Sequence, residues 1–235
     1  MSDRERTNPE GPRVAIVDFG MGNLFSVSRS CEEAGMRPVI TSSKDEILAA
    51  DAVILPGVGA FGDAMQTLHR LDLVSVLREI ASSEVPLIGI CLGMQLLMSE
   101  SEEFGATRGL DVVPGRVVWL RDEGTEGRRL KVPEVGWNAI RACSSRGWEG
   151  TPLKALPDGT FMYFVHSLVV MPDDPSVTLS TTTYGPIEFC STLQAGNVFA
   201  CQYHPERSGR AGREWYRRLE RMVAERSRTH PLRAG

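Results

Sequence analysis

The sequence predicts a three-layer α/β/α domain built on a mainly parallel sheet with an antiparallel extension, and three observations carry that expectation. In the first ninety residues short apolar, β-branched runs alternate with helical patterns at the spacing of βαβ units. In the second half, strand-like runs follow one another with Pro and Gly between them, as antiparallel strands do. The 235 residues are 42% apolar and 24% charged, an ordinary globular balance in a chain long enough to bury a substantial core.

Taken in order, Arg13-Val-Ala-Ile-Val-Asp18 is the first strand, broken by Phe19-Gly-Met-Gly-Asn23. A helix follows from Leu24 to about Ala34, with Gly35 as its C-terminal cap. Val39-Ile40 is a weak second strand, Ser43 to Ala50 a short helix, and Asp51-Ala-Val-Ile-Leu55 a third strand stopped by Pro56-Gly-Val-Gly59. Helical patterns cover Ala64 to Ser82, and Pro86-Leu-Ile-Gly-Ile90 reads as a buried strand. Beyond it Val112–Leu120, Thr160–Val165, Val177–Thr183, Pro186–Leu193 and Val198–Cys201 are strand-like. A last amphipathic helix runs from about Gly209 to Arg226, with Trp215, Leu219 and Met222 on one stripe. No linker, composition shift or repeat divides the body, so one domain is expected over 13–226, with disordered tails at 1–12 and 227–235.

Charge and cysteine usage narrow the function. With 26 Lys plus Arg against 30 Asp plus Glu, the net charge of −4 offers no basic face for nucleic acid. The polar stretch Met1 to Pro12 has no apolar signal region, and no run is long enough to cross a bilayer, so a cytoplasmic protein without membrane contact is expected. Five widely spaced cysteines, with no C-x-x-C pair, point to reduced thiols and against a zinc site; neither a metal nor a cofactor is expected.

The chemistry concentrates in Pro86-Leu-Ile-Gly-Ile-Cys91-Leu-Gly-Met-Gln-Leu96. A buried strand runs into Gly89-x-Cys91-x-Gly93 and a helix begins at once, the strand–turn–helix of a nucleophile elbow with Cys in place of Ser. The glycines serve where a Cβ would collide, and the helix N-terminus favours thiolate over thiol. The plainer alternative is a buried structural Cys between packing glycines. A nucleophilic Cys needs a base, and the chain has four histidines. His230 lies in a tail and His69 in a charged helical stretch. His204, in Gln202-Tyr-His-Pro-Glu206, has Glu206 two positions on to hold its tautomer, whereas the competitor His166 has no carboxylate nearby in sequence. The Leu92 N–H offers one oxyanion donor; Pro56-Gly-Val-Gly59 either presents further N–H groups or, as its composition alone favours, is a plain glycine turn.

These residues resemble a family. Cys91 in G-I-C-L-G-M-Q, with His204 and Glu206 in Q-Y-H-P-E, looks like the triad glutamine amidotransferases of class I. V-D-F-G-M-G-N-L-F-S-V (17–27), L-P-G-V-G-A-F-G-D-A-M (55–65), V-G-W-N (135–138) and Y-F-V-H-S (163–167) narrow the likeness to the glutaminase subunits of imidazole glycerol phosphate synthases, in order from about Val14 to Gly212. The resemblance implies that Cys91 attacks glutamine, His204 moves the protons and Glu206 orients His204. It implies oxyanion contacts from Gly57, Val58, Gly59 and Leu92, and substrate contacts from Gly57, Gln95, Ser167 and Leu168. It further implies a heterodimer with a (β/α)8 cyclase, which takes the ammonia to make imidazole glycerol phosphate and an aminoimidazole carboxamide ribonucleotide in histidine biosynthesis. A paralogue feeding ammonia to a sugar-modifying enzyme of surface polysaccharide synthesis would keep the same triad. A catalytically silent docking subunit could share the same fold, but the intact Cys91, His204 and Glu206 set argues against that reading.

The chain departs from the family pattern at three places. Glu134 stands where His is common before G-W-N, Leu168 replaces an aromatic after V-H-S, and Arg207 replaces the Lys of H-P-E-K. Glu134 and Arg207 are expected near the partner-facing surface, where a charge swap changes partner choice. The run Arg121 to Arg129 reads as a solvated loop.

Overall fold

The computed structural model describes residues 11–121, 130–143 and 147–229. The expected tails, apart from 11–12 and 227–229, and the loop at 122–129 therefore lie outside the described residues. Gly11 and Pro12, assigned to the tail by sequence, are buried, and their carbonyls accept from the Arg37 side chain and backbone N–H.

The first half alternates as expected: β1 (Arg13–Val17), α1 (Leu24–Glu33), β2 (Arg37–Thr41), α2 (Lys44–Leu48), β3 (Ala52–Gly57), α3 (Phe61–Arg70), α4 (Val74–Ala81), β4 (Leu87–Cys91) and α5 (Leu92–Leu96). The second half gives β5 (Met98–Ser101), β6 (Thr107–Arg108), β7 (Val113–Trp119), β8 (Glu134–Ala142), β9 (Thr160–His166), β10 (Leu168–Pro172), β11 (Thr178–Tyr184), β12 (Ile187–Ala195), β13 (Val198–Cys201) and the closing α6 (Gly209–Thr229). Along the sheet the order is β2-β1-β3-β4-β13-β12-β10-β7-β5-β6, with β11 on β12, β8 on β11 and β9 on β8. The stretch from β2 to β13 is parallel throughout, and antiparallel pairing begins between β13 and β12.

Burial on both faces explains the unbroken apolar runs of the parallel strands. Successive residues of β1 serve opposite cores: Ala15 and Val17 pack under α2, α3 and α4, while Val14 and Ile16 pack under α1 and α6. Ile47, Phe61, Leu68, Leu77 and Ile80 fill the first side, and Val27, Cys31, Trp215, Tyr216 and Leu219 the second. These are the three layers.

Two departures from the expected elements have local causes. The helical pattern over Ala64–Ser82 is two helices, because Asp72 takes the left-handed conformation (φ 54°). Leu73 N donates to Leu68 O and Asp72 N to His69 O, closing α3 by the same motif with which Gly35 (φ 95°) closes α1. At Gly35 the residue type announces the stop; at Asp72 it does not. Strands β5, β6, β8 and β10 were not expected. Most of β8 (Glu-Val-Gly-Trp-Asn-Ala-Ile-Arg-Ala) carries polar or exposed residues, and pairing on both sides with β9 and β11 makes the strand.

Candidate active site

The site lies beyond the carboxyl ends of β3, β4 and β13, where open α/β sheets place their ligands. Cys91 ends β4 with φ 55° and ψ −111°, outside the regions open to ordinary residues. Such strain persists only where the surroundings enforce it. Here α5 begins at the next residue and is pressed onto β3, so that a Cβ at Gly93 would lie 1.7 Å from the Leu55 carbonyl oxygen. A Cβ at Gly89 would come within 2.8 Å of the Leu97 side chain. The two glycines of the elbow are thus dictated by close backbone approach.

His204 follows β13, the strand hydrogen-bonded to β4, and caps a 3-10 turn at Pro205–Arg207. Its Nδ1 lies 2.8 Å from Glu206 Oε1, with the two side chains only 5% and 1% exposed. The turn is fixed from outside: Ser208 Oγ donates to the His204 carbonyl, and His204 N donates to the Tyr163 carbonyl on β9. Burial opposes a charge on His204. Hydrogen bonding and attraction from Cys91, and then the same two contributions from Glu206, outweigh it and lift the pKa from 6.5 to about 10. Nε2, the ring atom left for Cys91, has no aligned hydrogen bond among the described residues. Catalytic hydrogen bonds are commonly long or poorly aligned before substrate binds. Burial pushes the Cys190 thiol up to about 12 and raises Cys31 and Cys201 too, leaving these three protonated.

The remaining expected residues gather around the elbow. Gly57 ends β3 in register with Cys91, and a Cβ there would lie 3.1 Å from Leu92 Cβ. Val58 is exposed, Gly59 has φ 115°, and Leu92 opens α5 beside the nucleophile. Gln95 is buried, and its amide nitrogen donates to Leu168 O at 3.3 Å and to Gln202 Oε1 at 3.1 Å. Ser167 joins β9 to β10, and its carbonyl accepts from Leu120 N. Two groups at the site escaped the sequence. Gln202 Nε2 stands 3.6 Å from the Cys91 sulfur; its place two residues before His204 was the available signal.

The second is Glu134, and it corrects an expectation. Rather than facing a partner at the surface, it is 2% exposed, with Oε2 3.2 Å from His166 Nε2. His166 therefore has a carboxylate of its own, and the reason for preferring His204 fails as stated. What separates the two is direction. His204 is coupled to Cys91, whereas His166 turns its Nδ1 to the Leu168 carbonyl at 2.9 Å. Arg207 is exposed, its guanidinium 4.4 Å from the centre of the Tyr163 ring.

Among the described residues no three His, Cys, Asp or Glu side chains cluster as metal ligands, and no helix is long and apolar enough to cross a membrane.

Comparison with known proteins identifies the family and the fold. The family model described as glutamine amidotransferase class-I matches residues 15–220. A protein of Moorella thermoacetica named imidazole glycerol phosphate synthase subunit HisH is 45% identical over 210 residues, covering 89% of this chain and 95% of the relative. A protein of the same name from Thermosynechococcus vestitus is 41% identical over 216 residues, 91% of this chain and 99% of that one. Among solved structures, PurLQS from Thermotoga maritima superposes with a TM-score of 0.66 at 17% identity, over 92% of this chain and 99% of that one. The glutaminase domain of Trypanosoma brucei CTPS gives a TM-score of 0.64 at 15% identity, over 91% and 94%; likeness at these identities speaks for the fold alone. With a family model over most of its length and relatives above 40% identity over about nine tenths of it, the chain belongs to the class-I glutamine amidotransferases, in the family of the imidazole glycerol phosphate synthase subunit HisH.

Proposed function

We propose that the chain hydrolyses glutamine with Cys91, His204 and Glu206 and passes the ammonia to a cyclase subunit of imidazole glycerol phosphate synthase, in histidine biosynthesis. The observation that carries this reading is the buried pairing of His204 with Glu206 beside a cysteine held at a strained strand–helix elbow. The names of the relatives support the pathway.

In this mechanism the Cys91 thiolate attacks the carboxamide carbon of glutamine, and the electron pair of the C=O bond moves to oxygen. The oxyanion is stabilised by backbone N–H groups at Leu92 and in the turn Gly57-Val58-Gly59. Collapse expels the amine, which takes a proton from the imidazolium of His204 and leaves as ammonia. A γ-glutamyl thioester remains. His204, now neutral, takes a proton from water as the water attacks the thioester, and glutamate departs with the sulfur returned to thiolate. Glu206 keeps Nδ1 protonated, so that Nε2 does the proton transfer at both stages. Glutamine is seated on the backbone of Gly57, Ser167 and Leu168 with the Gln95 side chain.

The docking face for the cyclase is the outer side of β8 and β9. Val135, Trp137 and Phe161 are each more than half exposed there, and Tyr163 lies among them under Arg207. A contiguous exposed apolar patch of this kind marks an interaction surface. Glutamate release measured for the chain alone, with a histidine-pathway cyclase, and with that cyclase plus its ribonucleotide ligand tests the reading. Strong activation is expected only in the third condition. Cys91→Ala should abolish glutamine-dependent synthesis in the complex while sparing synthesis from free ammonium. Loss of both with the complex intact would overturn the division of labour.

A further inference from the structure

Outside the triad the molecule carries a second buried carboxylate–imidazole pair. Glu134 opens β8 and His166 closes β9, directly opposite one another in the antiparallel register. Their side chains are 3% and 1% exposed, and Glu134 Oε2 and His166 Nε2 stand 3.2 Å apart, an ion-pair distance without the alignment of a hydrogen bond, with no hydrogen-bond partner among the described residues. The second ring nitrogen lies 2.9 Å from the Leu168 carbonyl oxygen, which can only accept, so Nδ1 carries a proton. On a neutral ring Nε2 would then present a lone pair to a carboxylate, two acceptors face to face beside the rings of Phe164 and Phe189. A buried contact without a donor is costly, so a second proton belongs between them. An imidazolium ordinarily holds its proton more firmly than a carboxylic acid does. Asn138 Nδ2 also donates to Glu134 Oε1 at 2.9 Å, which holds that oxygen as an acceptor. The geometry thus calls for one proton shared between Glu134 and His166.

The pair is linked to the nucleophile by a continuous run of contacts. The Leu168 carbonyl that accepts from His166 also accepts from Gln95 at 3.3 Å. Gln95 donates to Gln202 at 3.1 Å, and the Gln202 amide stands 3.6 Å from the Cys91 sulfur. We propose that Glu134 and His166 are positioning residues: a shared buried proton clamps the Leu168 carbonyl and, through it, the Gln95 side chain against which glutamine is seated. The inference rests on the glutaminase reading above and adds to it two residues that do not touch the reacting atoms. Because the clamp seats glutamine without touching the reacting atoms, it contributes equally to ground state and transition state and is felt in KM.

Steady-state glutamine hydrolysis in the assembled complex tests this with two variants. Glu134→Leu removes the carboxylate at similar volume. Glu134→Gln keeps the network without the charge, its amide donating to a neutral Nε2 while its carbonyl accepts from Asn138. Glu134→Leu should raise the KM for glutamine about tenfold, the scale of one lost hydrogen-bonded contact, with kcat within about threefold. Glu134→Gln should recover most of that loss. An unchanged KM in Glu134→Leu, or equal losses in both variants, would overturn the proposal. Nitrogen-15 NMR of the histidines in the wild-type chain decides the pair even where a variant fails to fold. Two ring N–H protons on His166 at neutral pH support the clamp, and a neutral ring overturns it. A wild-type complex that releases no glutamate would instead sink the glutaminase reading, and the NMR result would stand apart from it.

Discussion

At the scale of single residues, two buried imidazole–carboxylate pairs stand among the described residues, and they differ in what each faces. Against the effect of burial, His204 is raised to about 10 by Cys91 first and Glu206 second. Removing the sulfur should therefore lower it: in Cys91→Ala the His204 pKa, followed by NMR, is expected to fall from about 10 toward the ordinary histidine value, and further than in Glu206→Gln. The stability linkage has a definite sign. A histidine raised above its unfolded value of 6.5 contributes stability that is fully present below about pH 6.5 and is lost as pH rises through about 10. The stability gap between wild type and Glu206→Gln should accordingly be widest at pH 6 and close toward pH 10. A His204 pKa unmoved by loss of Cys91 would mean that the two side chains are not coupled.

At the scale of elements, close approach between helix and turn sets the geometry of the triad. α6 packs directly on the 3-10 turn that carries His204 and Glu206, and Gly212 makes this possible: a Cβ there would lie 1.8 Å from the Pro205 carbonyl oxygen. Pro205 stands between His204 and Glu206, the base and orienting carboxylate of the proposed triad, so a side chain at 212 must displace the turn from its place under α6. Gly212→Ala is expected to lower kcat at least about a hundredfold, the cost of a misplacement near 1 Å, with the fold retained. Circular dichroism together with glutamate release checks it; near-normal kcat would show that the turn is not held by α6. The same scale explains what the sequence made legible. Gly89, Cys91 and Gly93 announced the elbow because a strand, a small-residue turn and a helix are contiguous there, and His204 with Glu206 are neighbours in the chain. Glu134 and His166 meet only because β8 and β9 pair in one particular register, and β8 turns its apolar Val135 and Trp137 to the exposed face, so its pattern gives no sign that Glu134 is buried. The break at Asp72 was hidden for a related reason, since nothing in its side chain marks the left-handed conformation that its neighbours impose.

At the scale of the whole molecule, the outermost strands connect the inside of the site to its outside. Along β8, Glu134 points inward to His166, whereas Val135 and Trp137 have 55% and 54% of their surface exposed. Trp137 packs edge-on against Tyr163, and Tyr163 in turn lies under Arg207, one residue beyond Glu206. A partner seated on this face would therefore touch the strand that holds Glu134 and the turn that carries His204 and Glu206. Because Trp137 is half exposed, it contributes little to the core, but buried Trp residues dominate the energetics of interfaces. Trp137→Ser should leave the melting temperature of the free chain within a few degrees, since changes at exposed positions are usually small. The same substitution should weaken assembly with the cyclase about thirtyfold, the scale of an interface hot spot of about 2 kcal/mol. Titration calorimetry on the pair, set beside thermal melts of the free chain, separates the two effects. Unweakened assembly would move the docking face elsewhere on the sheet, and a large drop in melting temperature would show that Trp137 belongs to the core.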